Sequence, residues 1–294
     1  MKQRILLLGV TGMLGRSLYN FFCKDTSYSV YGTVRRLNHE KYFTPSSGKI
    51  ISDVDASNFK DLKKLIYKVK PNYLINCIGI IKQLDESKDY VQSITINSLL
   101  PHILSETCDE LNCKLIHFST DCVFDGAKGN YNESDSPNAL DLYGQSKSLG
   151  EVKSNKHITL RTSIIGHELN SSHSLVDWFL GQRRSVDGYT KAIFSGLPTI
   201  CIAEFLKDFV IGCDVAGLYH LSSSPISKYD LLNLISEIYG HDVPIERSDT
   251  LVIDRSLNSS ALKSHTGYNP SDWREMINKM YGEYNEFKRQ TIKS

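Results

Sequence analysis

The chain has 294 residues, a net charge of +1 and 40% apolar residues, values typical of a water-soluble globular protein. Its basic residues are scattered, which argues against a nucleic-acid surface. No apolar run reaches the roughly 18 residues that cross a bilayer, and the N-terminal segment does not resemble a signal peptide. We therefore expect a cytoplasmic protein that contacts neither nucleic acid nor membrane.

The cysteines and histidines predict neither disulfides nor a metal centre. The seven cysteines are odd in number and form no Cys-x-x-Cys pair. The nine histidines show no His-x-x-x-His spacing. Reduced thiols in the cytosol and no bound metal are the expected state.

Short apolar segments in the first half of the chain predict the strands of a parallel sheet. They lack strict alternation of apolar and polar residues, as strands covered on both faces do. Amphipathic helical patterns lie between them, and this alternation predicts a doubly wound α/β fold. The predicted strands are 4–9, 28–34, 49–54, 73–79, 114–120 and 158–166, and the helices are 13–22, 58–69 and 90–111.

The alternation ends after Gly166, where a region rich in Ser, His and Gly begins. We predict a dinucleotide-binding domain over 1–166, to which roughly 199–224 returns. A smaller C-terminal substrate-binding cap would comprise 167–198 and 225–294. Ligands bind beyond the carboxyl ends of the strands in such sheets, so a cap there would close a substrate cleft.

A glycine-rich loop joins the first predicted strand to the first helix. Gly9, Gly12 and Gly15 are spaced Gly-x-x-Gly-x-x-Gly, which allows backbone N–H groups to approach a diphosphate at the helix N-terminus. This position predicts dinucleotide binding, and the alternative is a merely tight turn. The loop residues expected to bind the cofactor are Gly9, Thr11, Gly12, Met13, Leu14 and Gly15.

Two arginines, Arg35 and Arg36, follow the second predicted strand, where enzymes that use NAD commonly carry an acid. A guanidinium suits a 2′-phosphate, so NADP(H) is the expected cofactor, with NAD(H) as the alternative. A solvated basic turn would leave the choice open. Asp53 and Val54 end the third strand, and Asp53 could accept a hydrogen bond from the adenine amine. Alternatively, the acids here cap the next helix.

The segment LYGQSK places Tyr143 four residues before Lys147. Chance alone gives about one Tyr-x-x-x-Lys in a chain with 16 tyrosines. A second copy, Tyr284 and Lys288, lies in a polar segment where we expect a solvated helix face. For the first copy, we expect the ammonium to lower the phenol pKa from its usual value near ~10 and to donate to a nicotinamide ribose.

Polar residues at the end of the fifth predicted strand complete a candidate site. Thr120 is expected to hydrogen-bond a substrate carbonyl oxygen, Asp121 to contact substrate and Ser119 to contact cofactor. Asn97 is expected to hold a water that connects Lys147 to solvent. With hydride reaching the carbonyl carbon and the tyrosine proton reaching its oxygen, these residues predict carbonyl reduction.

Several motifs together resemble the extended short-chain dehydrogenase/reductase superfamily. Within it, STDCVFDG resembles the dTDP-4-dehydrorhamnose reductase group, and FSGLPT, GLYHLSSSPISKYDLL and IDRSLNSS resemble the substrate-side segments of that group. The resemblance therefore extends over nearly the whole chain. The motifs of the first half are GVTGMLG, NCIG, INSLLP, FSTDCVFDG, YGQSK and LRTSIIG.

The resemblance implies a Rossmann-like fold and an NADPH-dependent reductase of the 4-keto group of a nucleotide-linked 6-deoxyhexose in surface polysaccharide assembly. It implies that Tyr143 is the acid, Lys147 its partner and Thr120 the carbonyl anchor. The apolar Ile80 and Ile81 stand where members often carry a polar residue. The further residues implied to line the cofactor are Cys77, Ile78 and Gly79.

The candidates for binding the sugar nucleotide lie in the second half of the chain. They are His173, Ser174 and Trp178 around the predicted cap helix, together with Arg183 and Arg255. Arg255 is the preferred diphosphate ligand because a guanidinium binds phosphate oxygens in a bidentate manner. For Trp178 the alternative is burial in the core of the cap.

Other functions of the same fold stay open at this stage. An NDP-sugar epimerase or dehydratase would retain its cofactor. A non-catalytic NADP-binding regulatory subunit is a second alternative, because the methionine adenosyltransferase β subunit resembles the same group. The sequence leaves open the sugar, including UDP-linked acetamido sugars, the choice of dTDP or UDP, and whether the protein is a homodimer.

Overall fold

Strands and helices alternate along the described chain, which comprises residues 2–36, 43, 48–81, 89–169 and 174–292 of a computed structural model. The helices are α1 Met13–Cys23, α2 Phe59–Val69, α3 Tyr90–Ser93, α4 Leu100–Leu111, α5 Leu142–Leu149, α6 Leu175–Leu180, α7 Thr199–Phe209, α8 Lys228–Tyr239, α9 Ser260–Thr266 and α10 Trp273–Ile292. The strands are β1 Gln3–Leu8, β2 Tyr28–Thr33, β3 Lys49–Ile51, β4 Tyr73–Asn76, β5 Lys114–Ser119, β6 Ile158–Arg161, β7 Ile164–Ile165, β8 Val186–Tyr189, β9 Ala192–Phe194, β10 Leu197–Pro198, β11 Gly217–His220, β12 Ile226–Ser227, β13 Ile245–Ser248 and β14 Ile253–Asp254.

A parallel sheet forms the centre of the molecule. Its order, over the described residues, is β11-β6-β5-β4-β1-β2-β3, and every neighbouring pair runs parallel. The central strand β1 buries the consecutive residues Ile5, Leu6, Leu7 and Leu8 completely. Both faces of this strand are therefore covered, as a run of apolar residues without alternation predicts.

The strand order changes direction at β1, which lies between β2 and β4. Chain crossovers leave β1 on opposite sides at this point, so a crevice opens beyond the carboxyl ends of β1 and β4. Gly9 follows β1 with a φ of +82°, and a β-carbon there would lie 2.7 Å from Cγ1 of Ile78. Glycine at position 9 thus allows the two strand ends to meet.

Apolar side chains form one core on each face of the sheet and a third core in the C-terminal half. The first core packs α1 and α7 against the sheet, and the second packs α2 and α4 on the opposite face. The third core includes Val176 and Phe179 of α6, Leu231 and Ile235 of α8, and Met280 of α10. This third core supports the segments that cover the crevice.

The C-terminal half contributes to more than one core. Strand β11 pairs with β6 at the edge of the sheet, within the segment 199–224 that is predicted to return there. Helix α10 places Met276 in the core with α1 and α7, whereas Ile277 belongs to the third core. The segment 225–294 thus packs against the sheet as well as the cap, and the two-domain division stays a prediction.

The predicted helix over 90–111 is present but contains a π-helical segment. The segment spans Ile94–Leu99 and separates α3 from α4. Its residue Ser98 donates a 2.8 Å hydrogen bond to the carbonyl oxygen of Ser146 in α5. A π-helical turn inserts an extra residue into a helix and often accompanies a functional site. Here it presents Asn97 and Ser98 to α5.

The predicted doubly wound α/β fold is confirmed by this topology. Boundaries differ by a few residues, since β3 is limited to Lys49–Ile51 where a strand over 49–54 is expected. No helix in the described ranges combines the length and the apolar character needed to cross a membrane.

Replacement of Gly15 by alanine tests the contact between α1 and the glycine loop. A β-carbon at this position would lie 2.3 Å from the carbonyl oxygen of Gly9, so the backbone must shift. We expect Gly15→Ala to lower the free energy of unfolding by about 2 kcal/mol, measured by urea denaturation. Gly282→Ala is the control, because no described residue beyond its chain neighbours and its own helix backbone lies within 4 Å of its β-carbon. Equal stability of the two variants would contradict this packing.

Candidate active site

A cavity of about 690 Å³ lies beyond the carboxyl ends of the central strands. It runs from the glycine loop, past the end of β5 and the start of α5, to the segments around α8 and β14. Residues from both halves of the chain therefore line one continuous space. The predicted residues that line it are Gly12, Met13, Leu14, Cys77, Ile78, Gly79, Ser119, Thr120, Asp121, Tyr143, Lys147, Ser174 and Arg255.

The first turn of α1 is suited to bind an anion. Gly12 is the N-cap and offers no side-chain hydrogen bond to the turn. The first N–H groups of a helix have no partner within the helix and carry a partial positive charge. A β-carbon on Gly12 would find only the carbonyl oxygen of Gly9 within 4 Å, at 3.6 Å, so the loop surface is open. This turn therefore fits the diphosphate of a dinucleotide.

The start of α5 places Tyr143 and Lys147 in the cavity wall. Asp141 caps the helix by accepting a 2.8 Å hydrogen bond from the N–H of Gly144. Lys147 follows one turn after Tyr143, and its Nζ donates a 2.6 Å hydrogen bond to the carbonyl oxygen of Phe118 at the end of β5. The predicted pair thus lies beside the strand that carries Thr120.

Burial shifts the pKa values of both residues, and in each case it disfavours the charged form. Lys147 is only 6% exposed. Burial lowers the pKa of Lys147 to about 8, an effect that the carboxylate of Glu151 opposes. Burial raises the pKa of Tyr143, although a hydrogen bond with the Thr120 hydroxyl counteracts the rise. The predicted lowering of the phenol pKa is therefore wrong for this structure, because desolvation outweighs favourable contacts.

Thr120 connects the tyrosine to the turn that follows β5. Its Oγ1 accepts a hydrogen bond from the N–H of Cys122 and donates one to Oδ1 of Asp121, each 3.1 Å long. These bonds fix the hydroxyl at the cavity surface beside the Tyr143 phenol. The predicted trio of Thr120, Tyr143 and Lys147 is thus brought together.

Asn97 lies next to this trio but directs its side chain to protein partners. Its Oδ1 accepts from the N–H of Ile80 at 2.9 Å, and its Nδ2 lies 3.1 Å from the Ile80 carbonyl oxygen and 3.2 Å from Oγ of Ser146. The amide therefore joins the loop after β4 to α5. The water link from Asn97 to Lys147 stays a prediction.

Four residues are predicted to bind the adenosine part of the cofactor, and all four lie outside the lining of the cavity. They are Arg35, Arg36, Asp53 and Val54. Arg35 and Arg36 are exposed after β2. Asp53 is exposed with a φ of 61°, and its carboxylate accepts a 2.7 Å hydrogen bond from Oγ of Ser52. Val54 donates its N–H to the carbonyl oxygen of Val34, which joins this turn to the end of β2. Asn58, rather than one of the acids, caps α2.

Two cations lie at the other end of the cavity, Arg255 and Lys228. Arg255 follows β14, and its Nε donates a 2.8 Å hydrogen bond to the carbonyl oxygen of Phe124. Lys228 begins α8 within the segment GLYHLSSSPISKYDLL, but sequence reasoning did not name it as a site residue, since a lysine at a helix start gives no signal of its own. Burial lowers the pKa of Lys228, whereas the charge of Asp121 raises it. Asp121 and Arg255 are thus both close to Lys228.

Apolar side chains form a further part of the wall. Ile80 and Ile81 extend the loop after β4 into the cavity, and Ile193 and Phe194 of β9 contribute from the C-terminal half. The isoleucines that depart from the family pattern therefore line the site. Sequence reasoning did not name Ile193 or Phe194 as site residues, although Phe194 opens the segment FSGLPT that resembles a substrate-side segment of the family.

The remaining predicted substrate residues have different positions. Ser174 lines the cavity and caps α6, where its Oγ accepts from the N–H of Asp177. Trp178 is 39% exposed and does not line the cavity, because Val176 and Phe179 take the buried face of α6. Arg183 is exposed outside the cavity lining. His173 lies outside the described residues.

The second Tyr-x-x-x-Lys copy is remote from the cavity. The ring of Tyr284 stacks on His167 with centroids 4.1 Å apart, and Nζ of Lys288 lies 4.4 Å from the centre of the same ring. The expected solvated helix face is thus partly covered. Only the copy at Tyr143 has the strand end and the glycine loop beside it.

Comparison with known proteins gives a match over nearly the whole chain. The RmlD substrate binding domain family matches residues 3–286. A dTDP-4-dehydrorhamnose reductase from Aggregatibacter actinomycetemcomitans is 26% identical over 300 residues, which cover 93% of this chain and 97% of that protein. Methionine adenosyltransferase 2 subunit beta from Xenopus tropicalis is 31% identical over 150 residues, 51% of this chain and 42% of that protein.

A solved structure shares the fold. The crystal structure of dTDP-4-dehydrorhamnose reductase from Bacillus anthracis str. Ames, in complex with NADP, superposes with a TM-score of 0.80. It covers 96% of this chain and 99% of its own, with 20% sequence identity. At this identity the similarity establishes the fold.

The buried charge of Lys147 predicts an effect of pH on stability. The folded-state pKa is about 8 and the ordinary value 10.5, so the unfolded chain binds this proton more tightly between these values. Stability of the unaltered protein should therefore rise as pH increases through this window. Lys147→Met removes the buried charge, and we expect it to raise the free energy of unfolding by about 2 kcal/mol near pH ~7.

Urea denaturation at about pH 7 and about pH 9.5 measures this effect, and the advantage of the variant should shrink at the higher pH. Lys153→Met is the control, because Lys153 is exposed shortly after the same helix. A Lys147→Met variant that is less stable at both pH values would contradict the expected cost of burying the ammonium.

Proposed function

Because the chain belongs to the RmlD substrate binding domain family, we propose that it is an NADP(H)-dependent reductase of a nucleotide-linked sugar. Its substrate would carry a 4-keto group on a dTDP- or UDP-linked 6-deoxyhexose, in the synthesis of surface polysaccharide. The observation that carries the proposal is that the anion-binding turn of α1, the trio of Thr120, Tyr143 and Lys147, and two cations line one cavity.

The reaction would use Tyr143 as the proton donor. NADPH supplies hydride to the carbonyl carbon when bound. The raised pKa of Tyr143 keeps its phenol protonated at neutral pH, which is the form that a donor requires. The Tyr143 Oη–H would give its proton to the carbonyl oxygen. The Thr120 hydroxyl, which donates to Asp121 in this structure, would turn its single hydrogen towards the same oxygen. The Lys147 ammonium stabilises the negative charge that develops on the phenol oxygen.

Support for the cofactor comes from the chain and from its relatives. The first turn of α1 would hold the diphosphate, and Cys77, Ile78 and Gly79 would line the nicotinamide end. Arg35 would bind the 2′-phosphate, in line with the NADP in the Bacillus anthracis reductase structure. The free state of all seven cysteines fits a reducing compartment such as the cytosol.

The far end of the cavity suits the remainder of the substrate. Arg255 and Lys228 provide two positive charges for a diphosphate. In the same cavity, Ile80, Ile81 and other apolar residues offer a surface for the methyl group of a 6-deoxy sugar. These features favour a sugar nucleotide over a small uncharged ketone.

A non-catalytic subunit is the second candidate, since 51% of the chain is similar to methionine adenosyltransferase 2 subunit beta. Such a protein would bind NADPH without oxidising it. The assembled trio at the cavity favours catalysis. Incubation with NADPH and a panel of dTDP- and UDP-linked 4-keto-6-deoxy sugars, with product mass measured, separates the two. A gain of two hydrogens supports reduction, and no turnover across the panel contradicts it.

Tyr143→Phe tests the proton donor. We expect turnover to fall by a factor of about 100 to 10,000, because the variant has no acidic proton to transfer. The dissociation constant for NADPH should change by no more than a few fold, since the ring is retained. Stopped assays of NADPH oxidation and fluorescence titration measure the two quantities. Tyr90→Phe is the control, because Tyr90 is 68% exposed. Undiminished turnover in Tyr143→Phe would refute the assignment.

Arg35→Ala tests the choice of cofactor. The loss of a charge-assisted hydrogen bond to a 2′-phosphate should raise the dissociation constant for NADPH about tenfold and leave that for NADH nearly unchanged. Arg247→Ala is a control at another exposed arginine, whose guanidinium lies 4.7 Å from the centre of the Tyr229 ring. An equal increase in the dissociation constants for NADPH and NADH would show that Arg35 does not bind the 2′-phosphate.

A further inference from the structure

A buried ion pair lies directly behind the cavity, between the end of α5 and β6. The carboxylate of Glu151 faces the guanidinium of Arg161 in a bidentate arrangement, with Nε to Oε1 at 2.6 Å and Nη2 to Oε2 at 2.7 Å. Each side chain is only 2% exposed. This geometry fixes both oxygens of the carboxylate.

Arg161 is itself held in place by a third contact. Its Nη1 lies 3.2 Å from Nε2 of His220 on β11, and Nδ1 of His220 lies 2.9 Å from the carbonyl oxygen of Tyr131. Burial and the charge of Arg161 lower the pKa of His220 to about 4. The imidazole is therefore neutral at physiological pH, so Nδ1 donates to Tyr131 and Nε2 accepts from Arg161. The guanidinium has little freedom to move.

The fixed carboxylate faces two residues of the cavity wall. Oγ of Ser119 donates a 2.8 Å hydrogen bond to Oε1 of Glu151. Nζ of Lys147 donates to the carbonyl oxygen of Phe118, the residue before Ser119, so the amine and the carboxylate lie against consecutive residues of β5. From this position the negative charge of Glu151 raises the pKa of the Lys147 amine, against the larger effect of burial. One carboxylate thus contacts or influences both polar wall residues.

Structural needs alone do not explain an acid at this place. Glu151 follows Gly150, the C-cap of α5, and a negative charge at a helix C-terminus is unfavourable. A buried ion pair also adds little net stability over apolar residues of similar size, because both charges lose their hydration. The pair is better explained by what its carboxylate does to the adjacent cavity.

We propose that Glu151 is a positioning residue of the active site, whose carboxylate, anchored by Arg161, keeps the Lys147 amine protonated and holds the Ser119 hydroxyl in the cavity wall. The inference rests on the proposed function in one respect, namely that Lys147 acts there as a cation. Glu151 touches neither the reacting atoms nor the cavity, and it acts through its two neighbours.

The other groups that face Lys147 cannot take over this role. On β5, burial and the charge of Lys147 hold the pKa of His117 well below its ordinary value, so the imidazole is neutral. On α5, Tyr143 keeps its proton because burial raises its pKa. The Phe118 carbonyl accepts from the amine but carries no net charge. Among the described residues, Glu151 is therefore the carboxylate that favours the ammonium.

Competitive acetylation with trace acetic anhydride, read by mass spectrometry across a pH series, measures the pKa of Lys147 without cofactor or substrate. The expected value in the unaltered protein is about 8. In E151Q, which keeps the shape and removes the charge, the midpoint should fall by about one pH unit, because the ammonium loses its partner. E151D keeps the charge and should restore the midpoint.

The control variant is E283Q. Glu283 also accepts a serine hydroxyl, Oγ of Ser17 at 2.5 Å, but lies on α10 away from the cavity. The E283Q variant should leave the midpoint of Lys147 acetylation unchanged. If circular dichroism shows that E151Q is unfolded, E151Q/R161M removes both charges and takes its place, with a smaller expected decrease because the loss of the Arg161 charge opposes it. An unshifted midpoint in the folded variant overturns the proposal.

Two results separate this inference from the proposed function. A shifted midpoint in E151Q, with no reduction of any 4-keto sugar nucleotide by the unaltered protein, would refute the function and support the coupling of Glu151 to Lys147. If the unaltered protein does reduce such a sugar, kcat is measured as a function of pH. The alkaline limb of this pH profile should move to lower pH in E151Q. Turnover with an unmoved alkaline limb would refute the positioning role and leave the function intact.

Discussion

The buried charge of Lys147 is the constraint on which the arrangement of the cavity depends. An ammonium that is 6% exposed loses most of its hydration, a loss that amounts to several kcal/mol for an isolated ion. The Phe118 carbonyl oxygen at 2.6 Å and the nearby Glu151 carboxylate compensate part of it. These partners come from β5 and from the residue after the α5 C-cap. The contact between this strand and this helix therefore determines whether the lysine is charged in the site.

Parallel strand order explains why this site forms where it does. The carboxyl ends of β1, β4 and β5 lie side by side, so the loops that follow them converge. Each loop brings a different chemical capacity: open N–H groups after β1, an apolar wall after β4, and hydroxyl groups after β5. The C-terminal half adds positive charge from the opposite side. A single edge of the sheet thus brings open N–H groups, apolar side chains and hydroxyl groups to one cavity.

Local spacing allowed the sequence to predict part of the site. The glycine loop and the Tyr143–Lys147 pair depend on residues within one turn or one helix, and their positions in the structure agree with the prediction. The long-range features could not be predicted. The Arg161–His220 contact joins β6 to the edge strand β11, and Lys228 reaches the cavity through packing of α8. The sign of the Tyr143 pKa shift likewise depends on burial, which spacing does not reveal.

The contacts that close the far end of the cavity join distant parts of the chain. The bond from Arg255 to Phe124 spans 131 residues, and that from Asn130 to Ser256 spans 126. The glycine loop, in contrast, meets the loop after β4 within the first 80 residues, through the N–H of Cys77 and the carbonyl of Leu8. Long loops close late and slowly during folding, and synthesis proceeds from the N-terminus. A nascent chain can therefore join the end of β1 to the loop after β4 well before the two halves of the chain meet at the cavity.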